Sequence, residues 1–162
     1  MGARSNPARL LETLNRHRVR YIVVGGVAAV IEGVPVSTFD LDIVYDRKPD
    51  NVIRLIAALA ALEAIYRGRR GTPLTPAADA LGGTGHHLLM TRLGPLDVLG
   101  AIGKGRDYSA LLPHSKRRKL GTMFIRVLNL ETQIAVKEEL AYEKDQLVLP
   151  LLRETLRMRK RL

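Results

Sequence analysis

The chain contains no cysteine and no tryptophan, and its 162 residues include only two Phe and five Tyr. Without cysteine there are no disulfides and no thiolate metal sites, which suits a reducing cytoplasm. With so few aromatics the core must be built from Leu, Val, Ile and Ala. Little is left for stacking nucleobases, so single-strand binding on an aromatic platform is not expected. No apolar run approaches the roughly 18–20 residues that span a bilayer. The opening MGARSNPARLLETLNRHRVR also lacks the uninterrupted apolar segment of a signal peptide. A cytoplasmic protein with no membrane partner is expected. The dinucleotide fingerprint G-x-G-x-x-G and the P-loop G-x-x-x-x-G-K-[ST] are both missing.

The residues that are present describe a globular chain. Hydrophobic residues make up 46% and charged residues 26%, a balance that folds rather than staying disordered. The length suits one domain with a sizeable core. Net charge is +10, concentrated in three runs: RGRR at 67–70, KRRK at 116–119 and RMRKR at 157–161. One such run is as easily a solvated surface as a binding site. Three in one small domain favour a polyanionic partner contacted through its phosphates.

Apolar spacing predicts a helix over 7–18, a strand over 20–24 closed by Gly25–Gly26, and a short helix over 27–31. A second strand is expected over 39–45, with Phe39, Leu41 and Ile43 toward the core. Pro49 and Asp50 then open an amphipathic helix. Residues 67–85 are rich in Gly, Pro and Thr and read as a long loop. Strands follow over 87–92 and 95–99, joined at Leu93–Gly94, then a helical turn over 107–112 and a strand over 122–128. From Leu130 the pattern is helical to the end, with a break near Pro150. The expected fold is α/β (α+β), a small mixed β-sheet flanked by helices. Residues 1–128 form the α/β core and 129–162 a helical segment packed on it, within a single domain.

Carboxylates stand in apolar strand patterns at three places. Asp40 and Asp42 alternate with Phe39, Leu41 and Ile43, so both acids project from the face opposite the apolar residues. Asp97, in GPLDVLG, is again a lone acid between Leu96 and Val98. Like charges on one strand face repel unless a cation lies between them, and Mg²⁺, a hard ion that shares oxygen ligands with substrate phosphates, suits such a group. The bland alternative is an exposed strand edge. The Gly25–Gly26 turn favours the site, because a turn without side chains lets backbone N–H groups approach a phosphate. His86–His87 alternates across a strand and does not form a dihistidine metal site.

A glycine pair, a short helix and then Thr38-Phe39-Asp40-Leu41-Asp42, with a later acid at Asp97, resembles the DNA polymerase β-type nucleotidyltransferase superfamily. The likeness is greatest to its small bacterial branch of minimal nucleotidyltransferases and abortive-infection toxins. The stretch NLETQIAVKEELAYEKD, with Lys137, Lys144 and Asp145, is similar to the family's C-terminal pattern. The resemblance implies a transferase in which Asp40, Asp42 and Asp97 bind Mg²⁺ or Mn²⁺, and Asp97 also helps deprotonate the attacking hydroxyl. It implies that Gly25, Gly26, Thr38 and Lys137 hold the phosphates of a nucleoside triphosphate. RNA, with tRNA a candidate, or a protein side chain would be the acceptor, and a cognate toxin or antitoxin a partner. Two positions depart from the pattern: Val36 and Tyr142 stand where many relatives carry Arg, whose bidentate phosphate contact is hard to replace. A catalytically weak nucleotidyltransferase fold acting as a nucleic-acid or protein binding module is the alternative.

Overall fold

Local capping chemistry starts the first helix. In the computed structural model, which describes residues 5–162, the Asn6 side chain accepts a hydrogen bond from the Arg9 backbone N–H. Pro7 takes the first helical position of α1 (Pro7–Arg16). The β-branched strand β1 (Tyr21–Val24) passes without a loop into α2 (Gly25–Ile31). The glycine pair is therefore the first turn of the helix and not a separate turn before it. Strand β2 (Leu41–Tyr45) returns antiparallel beside β1. It begins two residues later than the alternation suggests: Phe39 lies outside it and is 74% exposed, a correction to its expected core position. Pro49 opens α3 (Pro49–Ala61).

The irregular stretch is shorter than expected, because β3 (Ile65–Tyr66) and the four-residue α4 (Ala78–Leu81) flank and interrupt it. The hairpin β4 (His86–Thr91) and β5 (Gly94–Leu99) follows. Next come a two-residue ribbon, β6 (Ala101–Ile102) with β7 (Arg106–Asp107), and α5 (Tyr108–Leu111). The KRRK run lies in a strand, β8 (Ser115–Leu120), paired antiparallel with β9 (Met123–Leu128). Helix α6 (Leu130–Leu140), capped by the Asn129 side chain, ends at Ala141 in the left-handed conformation. A 3₁₀ turn over Glu143–Gln146 leads to α7 (Leu149–Lys160). The helical break thus precedes Pro150, which sits in the first turn of α7, where a missing N–H costs nothing.

Seven strands form one mixed sheet in the order β3-β4-β5-β2-β1-β9-β8. Its central strands β1 and β2 alternate between two clusters. Tyr21, Val23, Leu41, Ile43 and Tyr45 face the main core under α1 and α3, while Ile22, Val24 and Val44 face a smaller cluster with Leu111 of α5. A third apolar cluster, with Ala29 of α2, Leu130 and Ile134 of α6 and Leu152 of α7, docks the C-terminal helices on α2. No helix among the described residues is long and apolar enough to cross a membrane.

Candidate active site

β1 and its parallel neighbour β9 both run toward the same end of the sheet. There β1 gives way to α2 and β9 to α6, and the antiparallel β2 begins, with Asp42 the partner of Val24. Glycines, an acid and a long helix are thereby brought to one place.

Asp42 and Asp97 are register partners on the parallel strands β2 and β5, whose backbones lie about 4.8 Å apart. Leu41, Ile43, Leu96 and Val98 are all 0% exposed in the main core. Both acids consequently project from the other face, side by side. One oxygen of each, Asp42 Oδ1 and Asp97 Oδ1, is buried without a hydrogen-bond partner, a condition that costs free energy unless a proton or a cation relieves it. Burial, and after it the facing Asp97, pushes the Asp42 carboxyl up to about 8, while Lys137 acts in the opposite sense.

Asp40 is placed differently. It precedes β2, its side chain is 45% exposed, and Arg67 links it to the pair. Arg67 Nη1 lies 2.8 Å from Asp97 Oδ1 and Nη2 lies 4.0 Å from Asp40 Oδ2. The contact to Asp97 is an ion pair without hydrogen-bond alignment, and Nη1 also donates to the Leu89 carbonyl at 2.7 Å. Among the described residues, no three acids or histidines gather into a cluster that could hold a metal ion. The structure brings two of the three acids together and sets an arginine between Asp97 and Asp40.

The glycines meet the acids through close approach. Gly25 has φ +67°, and a Cβ there would strike the Asp42 carboxylate; one on Gly26 would lie 2.5 Å from Thr38 Oγ1. The space freed by the two glycines is thus taken by the chain's own Asp42 and Thr38 side chains. Thr38 Oγ1 in turn donates to the Asp40 carbonyl at 3.3 Å. No side chain caps α2, leaving its first N–H groups without a side-chain acceptor.

Lys137, on α6, lines the same cleft as Asp42 and Gly25, a space of about 180 Å³. Its Nζ lies 3.0 Å from Oδ1 of the buried Asp145. Asp145 comes from the 3₁₀ turn and fixes the lysine rather than leaving it to water. His86, Gln133 and Tyr142 also line the cleft. His86 Nε2 lies 2.9 Å from the Ala101 carbonyl, and Lys144 Nζ stands 5.7 Å from the Tyr142 ring centre. Val36 is partly buried and packs against the apolar cluster under α6 and α7. Sequence reasoning missed Arg67, which reads as one of a surface run. The first arginine of RGRR follows a β-branched and aromatic pair, Ile65–Tyr66, and that was the one available sign that it stands at a strand end.

A divalent cation fits Asp42 and Asp97: two adjacent hard oxygen ligands, one with an orphaned oxygen and the other ion-paired with Arg67, suit an ion that takes one or two carboxylates and completes its shell from water and phosphates.

No family model matches the chain, and no curated protein is significantly similar to it. Among solved structures, that of a Thermotoga maritima protein titled a "putative nucleotidyltransferase" aligns with a TM-score of 0.60, covering 94% of this chain and 97% of that one at 18% identity. The likeness establishes a shared fold: the mixed sheet flanked by helices, with a helical C-terminus.

Proposed function

We propose that the protein is a Mg²⁺-dependent nucleotidyltransferase that moves an NMP from an NTP to a hydroxyl, with RNA as the favoured acceptor. The observation that carries this reading is the Asp42–Asp97 pair, two partly buried carboxylates in register on parallel strands beside Gly25. Apposed acids of this kind are costly to a fold that has no use for them.

In this reading Asp42 and Asp97 hold the metal, and Asp40 joins them once its contact with Arg67 loosens. Mg²⁺ held there would neutralise phosphate charge. The uncapped first turn of α2 and the Thr38 hydroxyl receive the β- and γ-phosphates, Lys137 supplies a further cation, and the cleft lined by Tyr142 and Gln133 takes the nucleoside. Asp97 accepts the acceptor hydroxyl's proton as its oxygen attacks the α-phosphorus. The bond to the β-phosphate oxygen breaks, and pyrophosphate leaves with that electron pair. Catalysis is chiefly positioning and charge neutralisation.

The basic runs support an RNA acceptor, although each gives one arginine to an internal ion pair: Arg67 to Asp97, and Arg118 and Arg159 to the buried Glu32. Arg69, Arg70, Lys116, Lys119, Lys160 and Arg161 stay exposed and can contact phosphates, while the exposed Arg117 stacks over the Phe124 ring. A role within a toxin–antitoxin pair, in the cytoplasm, belongs to the same proposal and rests on sequence resemblance. The second reading, a weakly catalytic binding module, is favoured by the internal pairing of both Arg67 and Lys137.

Label transfer from each of four α-labelled NTPs to pooled cellular RNA and protein, with Mg²⁺, separates the two. Label on one pool with wild type and none with Asp40→Asn/Asp42→Asn is expected. RNA binding that persists in that variant, with no transfer by wild type, would replace the transferase with the binding module.

A further inference from the structure

The acid site already contains a cation. Arg67 follows β3, whose residues pair with β4. Its backbone N–H donates to the Leu88 carbonyl at 2.9 Å, and Leu88 is the cross-strand partner of Asp97. The backbone is therefore fixed one strand away from the acids. The side chain, 25% exposed, reaches back across β4, and its fork points one nitrogen at Asp97 and the other toward Asp40. Gly68 follows it directly and Gly71 closes the run, both at positive φ and with open space around them.

The grip on the acids is close at Asp97 but poorly aligned, and long at Asp40. The Asp97 contact lacks hydrogen-bond alignment, the Asp40 contact stands at 4.0 Å, and Asp97 Oδ1 stays orphaned beside the guanidinium. The one well-formed side-chain bond is to the Leu89 carbonyl. Arg67 can leave the carboxylates while its backbone bond to Leu88 remains. A planar fork released beside an acid site is suited to bidentate contact with phosphate.

We propose that Arg67 is the resident counter-ion of the acid site, which competes with a bare divalent cation for Asp97 and Asp40 and turns to the triphosphate when metal and nucleotide arrive together. The inference rests on the nucleotidyltransferase reading and adds a loading rule to it: the site discriminates against metal alone and accepts metal accompanied by phosphate. The rule follows from charge. A bare dication must approach the acids against the Arg67 charge a few ångströms away, whereas a metal–triphosphate complex brings anionic oxygens that the same charge attracts.

Two bindings, measured apart, test it. Free Mn²⁺ is titrated by electron paramagnetic resonance into wild type, Arg67→Gln and Arg67→Lys without nucleotide. A fluorescent non-hydrolysable triphosphate is then titrated in saturating Mg²⁺. Arg67→Gln is expected to bind Mn²⁺ at least about tenfold more tightly and the triphosphate about tenfold more weakly. Arg67→Lys, which keeps the charge, should stay near wild type for Mn²⁺ and lose part of the triphosphate affinity. Changes in the same direction for both ligands in Arg67→Gln, or none, overturn the assignment while leaving the transferase reading in place. Failure of all three proteins to bind either Mn²⁺ or, in saturating Mg²⁺, the triphosphate, with native circular dichroism, overturns both.

Discussion

Replacing Asp42 by Asn in metal-free protein should stabilise it, and the gain should grow with pH. An unfolded chain ionises this carboxyl near its ordinary value of 3.8, whereas in the fold burial and Asp97 push it up to about 8. Between those values the folded state holds a proton that the unfolded state has lost. Stability therefore falls as pH rises across that window, by at most about 1.4 kcal/mol per pH unit for one group. It levels off above the folded value. From about pH 5.5 to about pH 7.5 the wild type should lose roughly 1–3 kcal/mol through this group, the upper end being the unscreened limit.

Asn cannot ionise, and its amide N–H₂ can donate to Asp97 as the protonated carboxyl does. Below about pH 4, where both states keep the proton, the variant and wild type should therefore agree within about 1 kcal/mol. At about pH 8 the variant should be ahead by roughly 2–3 kcal/mol, or about 5–10 °C in melting temperature for a chain of this size. With no tryptophan in the chain, urea titrations followed by far-ultraviolet circular dichroism in the presence of a chelator are the assay. Taking the variant minus wild type at each pH cancels the titrating groups that do not sense Asp42. A variant no more stable than wild type at about pH 8 would refute the reasoning, since Asp42 would then be either well solvated or stabilised by its charge. Saturating Mg²⁺ should reverse the order, raising the wild-type melting temperature and leaving Asp42→Asn unmoved.

Two further substitutions probe the frame around the site. Gly25→Ala should cost about 2 kcal/mol or more, because left-handed backbone costs a side chain about 1 kcal/mol and the new Cβ meets Asp42. Gly33→Ala, at φ +91° with nothing within 4 Å, should pay only the backbone part, so equal losses in denaturant titrations would refute the close-packing argument. Glu32→Gln should cost about 3 kcal/mol and expose the C-terminus to trypsin. Glu32 is 1% exposed and ties Arg118 of β8 to Arg159 of α7, so an unchanged cleavage rate would show that apolar packing alone holds α7.

The parts of this fold that could be read from sequence are those where one segment decides its own form. Asn6–Pro7, Pro49 and Asn129 announce helix starts by local chemistry, and β1 and β5 announce themselves by β-branched or alternating apolar residues. Strand β8 was invisible because SKRRKL has no apolar alternation. At the sheet edge it needs none, and charge there discourages pairing with another chain. Phe39 was misplaced because alternation continues through it although pairing starts at Leu41. Asp42 and Asp97 stood out as acids in apolar strands, but their adjacency depends on β5 lying parallel to β2 although the chain between Tyr45 and Gly94 separates them. That is a property of topology and not of either segment.

The same distinction explains Arg67. Its neighbours in sequence, Gly68, Arg69 and Arg70, are exposed, so charge density assigns it to a solvated run. Its neighbours in space are Asp97 and Asp40, reached because β3 and β4 pair in a fixed register. A buried like-charged pair must be neutralised by something in every state of the protein. The metal-free chain does so twice over, with a proton held on Asp42 and a guanidinium on Asp97. One divalent ion at the pair would displace both, so the proton retained by Asp42 and the position of Arg67 are two readouts of a single exchange. A metal titration should release protons near neutral pH and free Arg67 together, and proton release with Arg67 still held against Asp97 would separate the two and break the argument.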